Sequence, residues 1–143
     1  MTVKAILSRK GDDVATIAPT AQLTEAVKLL AARRIGAVVV TGPGDRVAGI
    51  LSERDIVRAL AERGHAALDE QVGAVMTRKV LTCTNADTIA VIMERMTSGK
   101  FRHLPVVEQS RLVGIISIGD VVKHRVEEIE GESNALREYI ATA

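Results

Sequence analysis

The hydrophobic positions of this chain predict one order of elements, and the chain contains that order twice. Each copy has an extended segment, an apolar helix face with i, i+3, i+4, i+7 spacing, two apolar runs joined by a turn, and a second helix. The helix faces are formed by Leu23, Ala26, Val27 and Leu30 and by Ile89, Ile92, Met93 and Met96. The extended segments are residues 14–17 and 80–84, and the apolar runs are 35–40, 47–51, 104–107 and 112–117. The pattern predicts two β-α-β-β-α units.

The clearest sign of this repeat lies where the last strand of each unit meets its second helix. The segment VAGILSERDIVR, residues 47–58, returns as LVGIISIGDVVK, residues 112–123. A glycine, a serine and an aspartate recur in them at one spacing of 65 residues: Gly49, Ser52 and Asp55, then Gly114, Ser117 and Asp120. After the first junction, we expect Ile56, Val57 and Leu60 on the buried face of the helix.

The Ser-x-x-Asp junctions have two compatible interpretations. A helix N-terminus favours anions, and a hydroxyl beside a carboxylate suits the ribose and phosphate of a nucleoside phosphate. Gly49 and Gly114 would let a ligand or another backbone approach the strand. The same residues also form a helix cap, with serine as N-cap and aspartate three residues later. A cap whose carboxylate faces a cleft can also bind.

The remaining segments set the expected boundaries. Val3, Ile6 and Leu7 predict a short helix that ends at Gly11, and the polar residues 64–73 predict a linker. The domains are therefore expected at residues 8–66 and 74–131, followed by a helical extension at 132–143. Apolar residues along the last helix favour a subunit contact or packing on its own chain: Val126, Ile129, Leu136, Tyr139 and Ile140.

Each unit is too small to bury a large core, because a domain of about 60 residues buries only about 60% of its unfolded surface. We therefore expect an α/β (α+β) fold in which the two units pair by pseudo-twofold symmetry, with the sheets packed together and the helices outside. Both Ser-x-x-Asp junctions would then face a cleft between the units.

Composition excludes several classes of protein. A net charge of +1 and an aromatic content of 1% argue against nucleic-acid binding. No apolar run approaches the roughly 20 residues of a membrane helix, and residues 1–11 lack the apolar centre of a signal peptide. These features predict a soluble, cytoplasmic protein without a membrane contact. The single cysteine, Cys83, excludes an internal disulfide and is expected to be buried.

The sequence shows no catalytic or metal-binding motif. The three histidines, His65, His103 and His124, are far apart and lack the spacing of a helical metal pair. No Walker, dinucleotide or Gly-x-Ser-x-Gly pattern is present. We therefore expect neither an enzyme nor a metal site.

Taken together, the motifs resemble a tandem pair of CBS domains, a Bateman module of the stand-alone bacterial type. The resemblance covers residues 8–130 and rests on TIAP at 16–19, IGAVVV at 35–40, GILSERD at 49–55, VMT at 75–77, FRHLPVV at 101–107 and GIISIGD at 114–120. It implies regulation by adenine nucleotides, AMP first, with ADP, ATP, NAD(H) or S-adenosylmethionine as further candidates. It also implies a homodimer of CBS pairs and an unidentified regulated protein.

The resemblance further implies a set of site residues. Asp55 and Asp120 would bind ribose, Ser52 and Ser117 would contact ribose or phosphate, and Arg54, Arg102 and His103 would hold phosphate. The base would be framed by Thr16 to Ala18, Thr82 to Thr84, Ala37, Val38, Leu104 and Pro105. The first unit departs from the pattern, because Gly36 and Ala37 stand where the second has Arg102 and His103. We therefore expect the Ser117/Asp120 site to be the stronger one. The alternative function is a structural oligomerisation module without a nucleotide.

Overall fold

The computed structural model describes residues 1–11 and 13–142, and its elements follow the predicted order. The helices are α1 (Val3–Lys10), α2 (Leu23–Arg33), α3 (Glu53–Arg63), α4 (Val72–Val75), α5 (Ile89–Gly99) and α6 (Ile118–Thr142). The strands are β1 (Thr16–Ile17), β2 (Ala37–Thr41), β3 (Val47–Ser52), β4 (His103–Glu108) and β5 (Arg111–Ser117). Short 3-10 helices lie at Pro43–Asp45 and Gly64–Asp69. The fold is mixed α/β, as predicted.

Two small sheets organise the halves. In the first sheet β1 runs parallel to β2, and β2 and β3 form an antiparallel hairpin. In the second, β4 and β5 form the corresponding hairpin. The third strand expected at residues 80–84 is reduced to one parallel bridge, in which Cys83 N donates to Pro105 O at 3.0 Å and Cys83 O accepts from Val107 N at 2.8 Å.

The registers of the two hairpins show the pseudo-twofold relation. Ala37 pairs with Ser52 in the first hairpin, and His103 pairs with Ser117 at the equivalent position of the second. Each hairpin turn requires left-handed backbone, with Gly44 at φ 72° in the first and Gln109 and Ser110 at φ 51° and 65° in the second. Each unit is therefore built on the same frame.

The two hydrophobic cores exchange helices. Val3, Ile6 and Leu7 of α1 pack in the core of the second unit, although α1 precedes the first unit in the chain. Conversely, Val72 and Met76, in and just after α4, pack in the core of the first unit. Each exchanged segment is anchored by an antiparallel bridge, Thr2 to Thr88 and Gln71 to Gln22. Each unit thus obtains part of its core from the segment that precedes the other.

The segment predicted as a polar linker is folded. Gly64 ends α3, and the 3-10 helix that follows places Ala67 in the first core. Val72 is also fully buried. Ala67 belongs to the three-residue apolar run 66–68, and Val72 stands between a glutamine and a glycine. Because neither is part of a helical or alternating repeat, the sequence pattern did not reveal them.

Two helical positions differ from the prediction. Val57 was expected to face inward, but it is 64% exposed, and Ile56 and Ala59 form the buried face instead. The helical period of 3.6 residues rotates Val57 away from a face centred between those two residues. Met93 lies at the edge of the α5 face and is 38% exposed. Cys83 is buried as expected, and burial raises the pKa of its thiol to about 12.

The last helix, α6, has 25 residues, whereas its counterpart α3 has 11. Val121 and His124 are its buried side chains, and every residue from Ile129 to Thr142 is exposed. Among the residues that the structure describes, no helix has both the length and the apolar character needed to cross a membrane.

Candidate functional site

Both Ser-x-x-Asp junctions form the helix caps that the sequence predicts. At α3, Ser52 Oγ accepts from Asp55 N at 3.3 Å, and Asp55 Oδ2 accepts from Ser52 N at 3.0 Å. At α6, Ser117 Oγ accepts from Asp120 N at 3.1 Å, and Asp120 Oδ2 accepts from Ser117 N at 2.9 Å. These reciprocal bonds satisfy backbone donors that a helix N-terminus leaves unpaired.

A further bond ties the first residue of each helix to the residue just before the first strand of its hairpin, β2 or β4. Gly36 O accepts from Glu53 N at 3.0 Å, and Arg102 O accepts from Ile118 N at 2.8 Å. The segments Gly36-Ala37 and Arg102-His103 are therefore equivalent in the structure, as the sequence alignment of the repeats predicts. The residue that bonds the helix N-terminus through its backbone carbonyl is thus a glycine at α3 and an arginine at α6.

A cavity of about 420 Å³ lies at the N-terminus of α3 and is lined by residues of both units. Its lining includes Ser52, Arg54, Asp55, Arg102 and His103, five of the residues predicted to bind a ligand. It also includes Gly36, Ile50, Glu53, Arg58, Thr77, Val80, Lys100 and Phe101. Its volume falls in the range of about 300–1,000 Å³ that small-molecule sites occupy.

The charges around this cavity favour an anion. Arg54 and Arg58 lie one turn apart on α3, and Lys100 and Arg102 approach from the segment before β4. Within the described ranges, 1–11 and 13–142, none of these four cations forms an ion pair. The N-terminus of α3 adds a partial positive charge. Against these four cations the lining has two carboxylates, Asp55 and Glu53, so its balance of charge is positive and suits phosphate.

The carboxylate of Asp55 lies on the wall of the cavity and keeps some hydrogen-bonding capacity. Its Oδ2 accepts from the backbone N and the Oγ of Ser52, and its Oδ1 accepts from Thr77 Oγ1 at 3.1 Å. A carboxylate offers about four acceptor sites. Asp55 Oδ1 can therefore accept one more hydrogen bond, for example from a sugar hydroxyl.

His103 lies at the same cavity, between charges of both signs. Burial lowers the pKa of His103, and the positive charges of Lys10 and Arg102 lower it further, against the opposing effect of Asp120 and Glu53. The imidazole is thus held toward its neutral form. It can donate one hydrogen bond and accept another.

At the second junction, the carboxylate of Asp120 is paired with a lysine that was not predicted from the sequence. Lys10 Nζ, at the end of α1, donates to Asp120 Oδ2 at 2.6 Å and to Ile115 O at 2.9 Å. Burial would raise the pKa of Asp120, but the hydrogen bonds from Lys10 and Ser117 outweigh it and lower the pKa below its ordinary value. Asp120 and Ser117 do not line the cavity at Asp55. The expectation that both junctions face one shared cleft is therefore not met by this cavity.

At both junctions the strand glycine is in close contact with other residues of the protein. A Cβ on Gly49 would lie 2.6 Å from Thr77 O and 2.8 Å from Met76 Sδ. A Cβ on Gly114 would lie 2.7 Å from a methyl group of Leu7. Each glycine therefore provides room for the exchanged segment, so the close approach expected from the sequence is made by the protein.

The other predicted site residues lie outside the cavity wall. Ala37, Val38, Leu104 and Pro105 are buried in strands β2 and β4. Thr16, Ala18, Thr82 and Thr84 are exposed beside these strands, where Thr82 O accepts from Arg95 Nη1 and Thr84 N donates to Asp87 Oδ2.

Four residues of functional interest were not predicted: Lys10, Arg58, Thr77 and Lys100. Arg58 was recoverable, because it lies four residues after Arg54 and hence on the same helix face. Thr77 and Lys10 come from the exchanged segments, and no local pattern connects them with Asp55 or Asp120. No cluster of three or more metal-ligating side chains occurs within residues 1–11 and 13–142.

Comparison with known proteins gives consistent results. The family model for the CBS domain matches twice, at residues 3–62 and 72–127. The crystal structure of the CBS-domain protein ATU1752 from Agrobacterium tumefaciens is 50% identical, with a TM-score of 0.84, and covers 87% of this chain and 99% of that one. The CBS protein PAE2072 from Pyrobaculum aerophilum, solved in complex with AMP, is 30% identical, with a TM-score of 0.75, over 84% of this chain and 89% of that one.

A curated relative shows the same similarity. The mitochondrial CBS domain-containing protein CBSX3 of Arabidopsis thaliana is 37% identical over 120 residues, which is 81% of this chain. The chain spans 58% of the length of that protein.

Proposed function

The chain belongs to the CBS domain family, and from this premise we propose that it is a regulatory module that binds an adenine nucleotide at the Asp55 cavity. AMP is the first candidate, and ADP, ATP and NAD(H) share its adenosine and phosphate. We assign it no catalytic step. The observation that carries the proposal is the cavity itself, whose lining has four cations, without an ion-pair partner among the described residues, and two carboxylates, Asp55 and Glu53.

Each part of a nucleotide has a counterpart in this cavity. Asp55 Oδ1 would accept from a ribose hydroxyl, because Asp55 lines the cavity and this oxygen has one protein donor, Thr77 Oγ1, for two acceptor sites. Arg54 and Arg102 would bind the phosphate from opposite sides, since a guanidinium donates in a planar fork that matches phosphate oxygens. Ile50, Val80 and Phe101 would provide apolar contact for the base.

A relative supports the class of ligand. The Pyrobaculum aerophilum protein was solved with AMP and is 30% identical to this chain. This similarity supports a ligand that contains adenosine. We propose AMP in particular because the cavity, at about 420 Å³, is at the lower end of the range for small-molecule sites and is lined by both Asp55 and the four cations.

Regulation requires that binding be coupled to another site. Because the cavity is lined by both units, a bound nucleotide would contact the N-terminus of α3 and the segment before β4 at once. Such a contact would fix the two units relative to each other, and coupling of this kind is typically about 1–3 kcal/mol. The receiving surface would be a regulated protein or a second copy of the chain. We further propose that the protein acts in the cytoplasm.

The proposal is tested by thermal unfolding with AMP, ADP, ATP and NADH. A ligand at 100 times its Kd adds about 2.7 kcal/mol to the free energy of unfolding, which raises the Tm by several degrees for a domain near this size. We expect this rise with AMP and its loss in the double variant Arg54→Glu/Arg102→Glu. The control is Arg46→Glu, because Arg46 is exposed in the first hairpin and does not line the cavity.

An alternative function is favoured by the two caps. Both aspartates already accept hydrogen bonds from their own chain, so the fold does not require a ligand to satisfy them. If no adenine nucleotide raises the Tm of the wild-type protein, the chain is better described as a structural oligomerisation module.

A further inference from the structure

The second half of α6 has no packing partner in the described chain. All fourteen residues from Ile129 to Thr142 are exposed, and the match to the CBS family model ends at residue 127. In proteins most helical stability comes from packing of an amphipathic face, and this half of α6 has no such packing among the described residues. Gly131 weakens the helix further. A surface that covers this half of α6 would therefore stabilise it.

The apolar residues of α6 form one continuous stripe, which we call the α6 seam. It consists of Val122, Val126, Ile129, Ser133, Leu136 and Ile140. Successive members are separated by four, three, four, three and four residues, which is the spacing of a two-stranded coiled coil. The apolar members are each 47–65% exposed. The branched residues Val126 and Ile140 occupy a positions and Leu136 occupies a d position, the combination that favours dimers, while Ile129 at d and the polar Ser133 at a depart from it.

The seam is free to meet another helix. Val121 and His124, the side chains that attach α6 to the second unit, lie on the opposite side of the helix. Two α6 helices joined along the seam would therefore carry their CBS units on the outside. A membrane is a poor partner, because the exposed half of the helix carries Glu130, Glu132 and Glu138.

The charges beside the seam identify the orientation. In a parallel, in-register pair, Arg125 would face Glu130 of the second copy, and Glu132 would face Arg137 of the second copy. An antiparallel pair that overlaps along the whole seam would instead set Glu130 against Glu130 and Glu132 against Glu132. The parallel arrangement thus matches unlike charges, and the antiparallel one opposes like charges.

We propose that α6 pairs with the α6 of a second copy of this chain in a parallel, in-register two-stranded coiled coil along the α6 seam. The partner is a second copy because one sequence supplies both the apolar seam and the complementary charges on its two edges. This pairing does not depend on the nucleotide proposal.

The mass of the protein in solution tests the pairing. Sedimentation of the full chain across a dilution series should give twice the 15.3 kDa of one chain at the concentrated end. In Leu136→Lys/Ile140→Lys, we expect the dimer dissociation constant to rise at least tenfold. The matched control is Asn134→Lys/Ala141→Lys, which adds the same charge on the outer face and should leave the dimer intact. A wild-type monomer at every concentration, or a dimer that survives the seam variant, would overturn the proposal.

A second measurement tests the orientation. Under mild oxidation Ser133→Cys should form a disulfide between copies, because the same a position meets itself only in a parallel, in-register pair. Asn134→Cys, on the outer face, should not. Arg137→Glu should weaken the dimer and Glu132→Arg/Arg137→Glu should restore it. If the seam variant abolishes the dimer and Ser133→Cys does not cross-link, the parallel arrangement is wrong. All these variants should keep the native Tm response to AMP.

Discussion

The two Ser-x-x-Asp junctions share one local structure and differ in what approaches them from elsewhere in the chain. Both form reciprocal caps. Each is preceded in its strand by a glycine that lies against an exchanged segment. At Asp55 that segment brings the neutral hydroxyl of Thr77, whereas at Asp120 it brings the ammonium group of Lys10. The repeat thus determines the cap, and the exchanged segment determines whether the carboxylate faces a cavity or an internal cation.

The cations reinforce this difference. Arg102 and His103 belong to the second unit, and from the sequence we expected them to bind phosphate at Ser117 and Asp120. Both line the cavity at Asp55 together with Arg54, although His103 also pairs with Ser117 and is affected by the charge of Asp120. In our proposal the stronger site is therefore the Asp55 site, which lies at the first junction and takes its phosphate donors from the second unit.

The largest effect is expected from removing the two carboxylates one at a time. Asp55→Asn should lower the affinity for AMP by about 10- to 150-fold, because a hydrogen bond to a charged group contributes about 1.5–3 kcal/mol. Asp120→Asn should stay within about twofold of the wild type, as expected for a site without shared contacts. Titration calorimetry measures both, and the Tm of each variant without ligand checks its fold. Equal losses at both positions, or a loss only in Asp120→Asn, would reverse the assignment.

The two glycines should differ in their effect on stability. Gly49→Ala should cost about 1–3 kcal/mol, because the new Cβ meets Thr77 O at 2.6 Å and that carbonyl is held by Ile50 N. Gly114→Ala should cost less, since its Cβ meets the side chain of Leu7, whose rotamer can shift at about 0.5–1.5 kcal/mol. Urea unfolding of both variants measures the difference. A larger cost at Gly114 would contradict the rigid-backbone explanation.

The smallest effect concerns the ion pair at the second junction. Lys10→Met should lower the free energy of unfolding by less than about 1 kcal/mol at pH 7, because partly exposed ion pairs contribute little. The native pKa of Asp120 is lowered, so this contribution is present above the ordinary aspartate pKa and is lost as the pH falls through the native one.

Unfolding at pH 7 and at an acid pH below the native pKa of Asp120 should therefore show a difference that disappears in acid. Arg9→Met is the matched control, because Arg9 pairs with Glu127 on a more exposed surface and should show no measurable cost. A difference that grows in acid would show that Lys10 acts in another way.

Much of the fold was predictable because its signals are local. The helix face of Leu23 and Ala26, the apolar run at 35–40 and the Ser52 cap are all properties of neighbouring residues. The structure confirms the helix face and the cap, and it places the strand at Ala37–Thr41. The prediction that Val57 is buried was wrong, because an apolar residue of a surface helix can point to the core or to solvent. The burial of Ala67 and Val72 was missed because the apolar residues of this segment, the run 66–68 and Val72, follow neither a helical nor an alternating repeat.

The site was predictable only in part because it depends on distant contacts. Arg102 and Asp55 were both identified, but the sequence does not show that they line one cavity. Lys10 and Asp120 are 110 residues apart, and their contact depends on where α1 packs. Repeat alignment finds equivalent positions within each unit, yet it contains no information about a helix that crosses from one unit to the other.

The exchange of α1 and α4 also bears on how the protein unfolds. Deleting residues 1–10 would remove Val3, Ile6 and Leu7 from beneath β5, so the damage would appear in the half farthest from the cut. A nick between Asp69 and Val72 would likewise loosen the half that precedes it. Neither half has a complete interior when the other is denatured, and the chain should melt in one cooperative step.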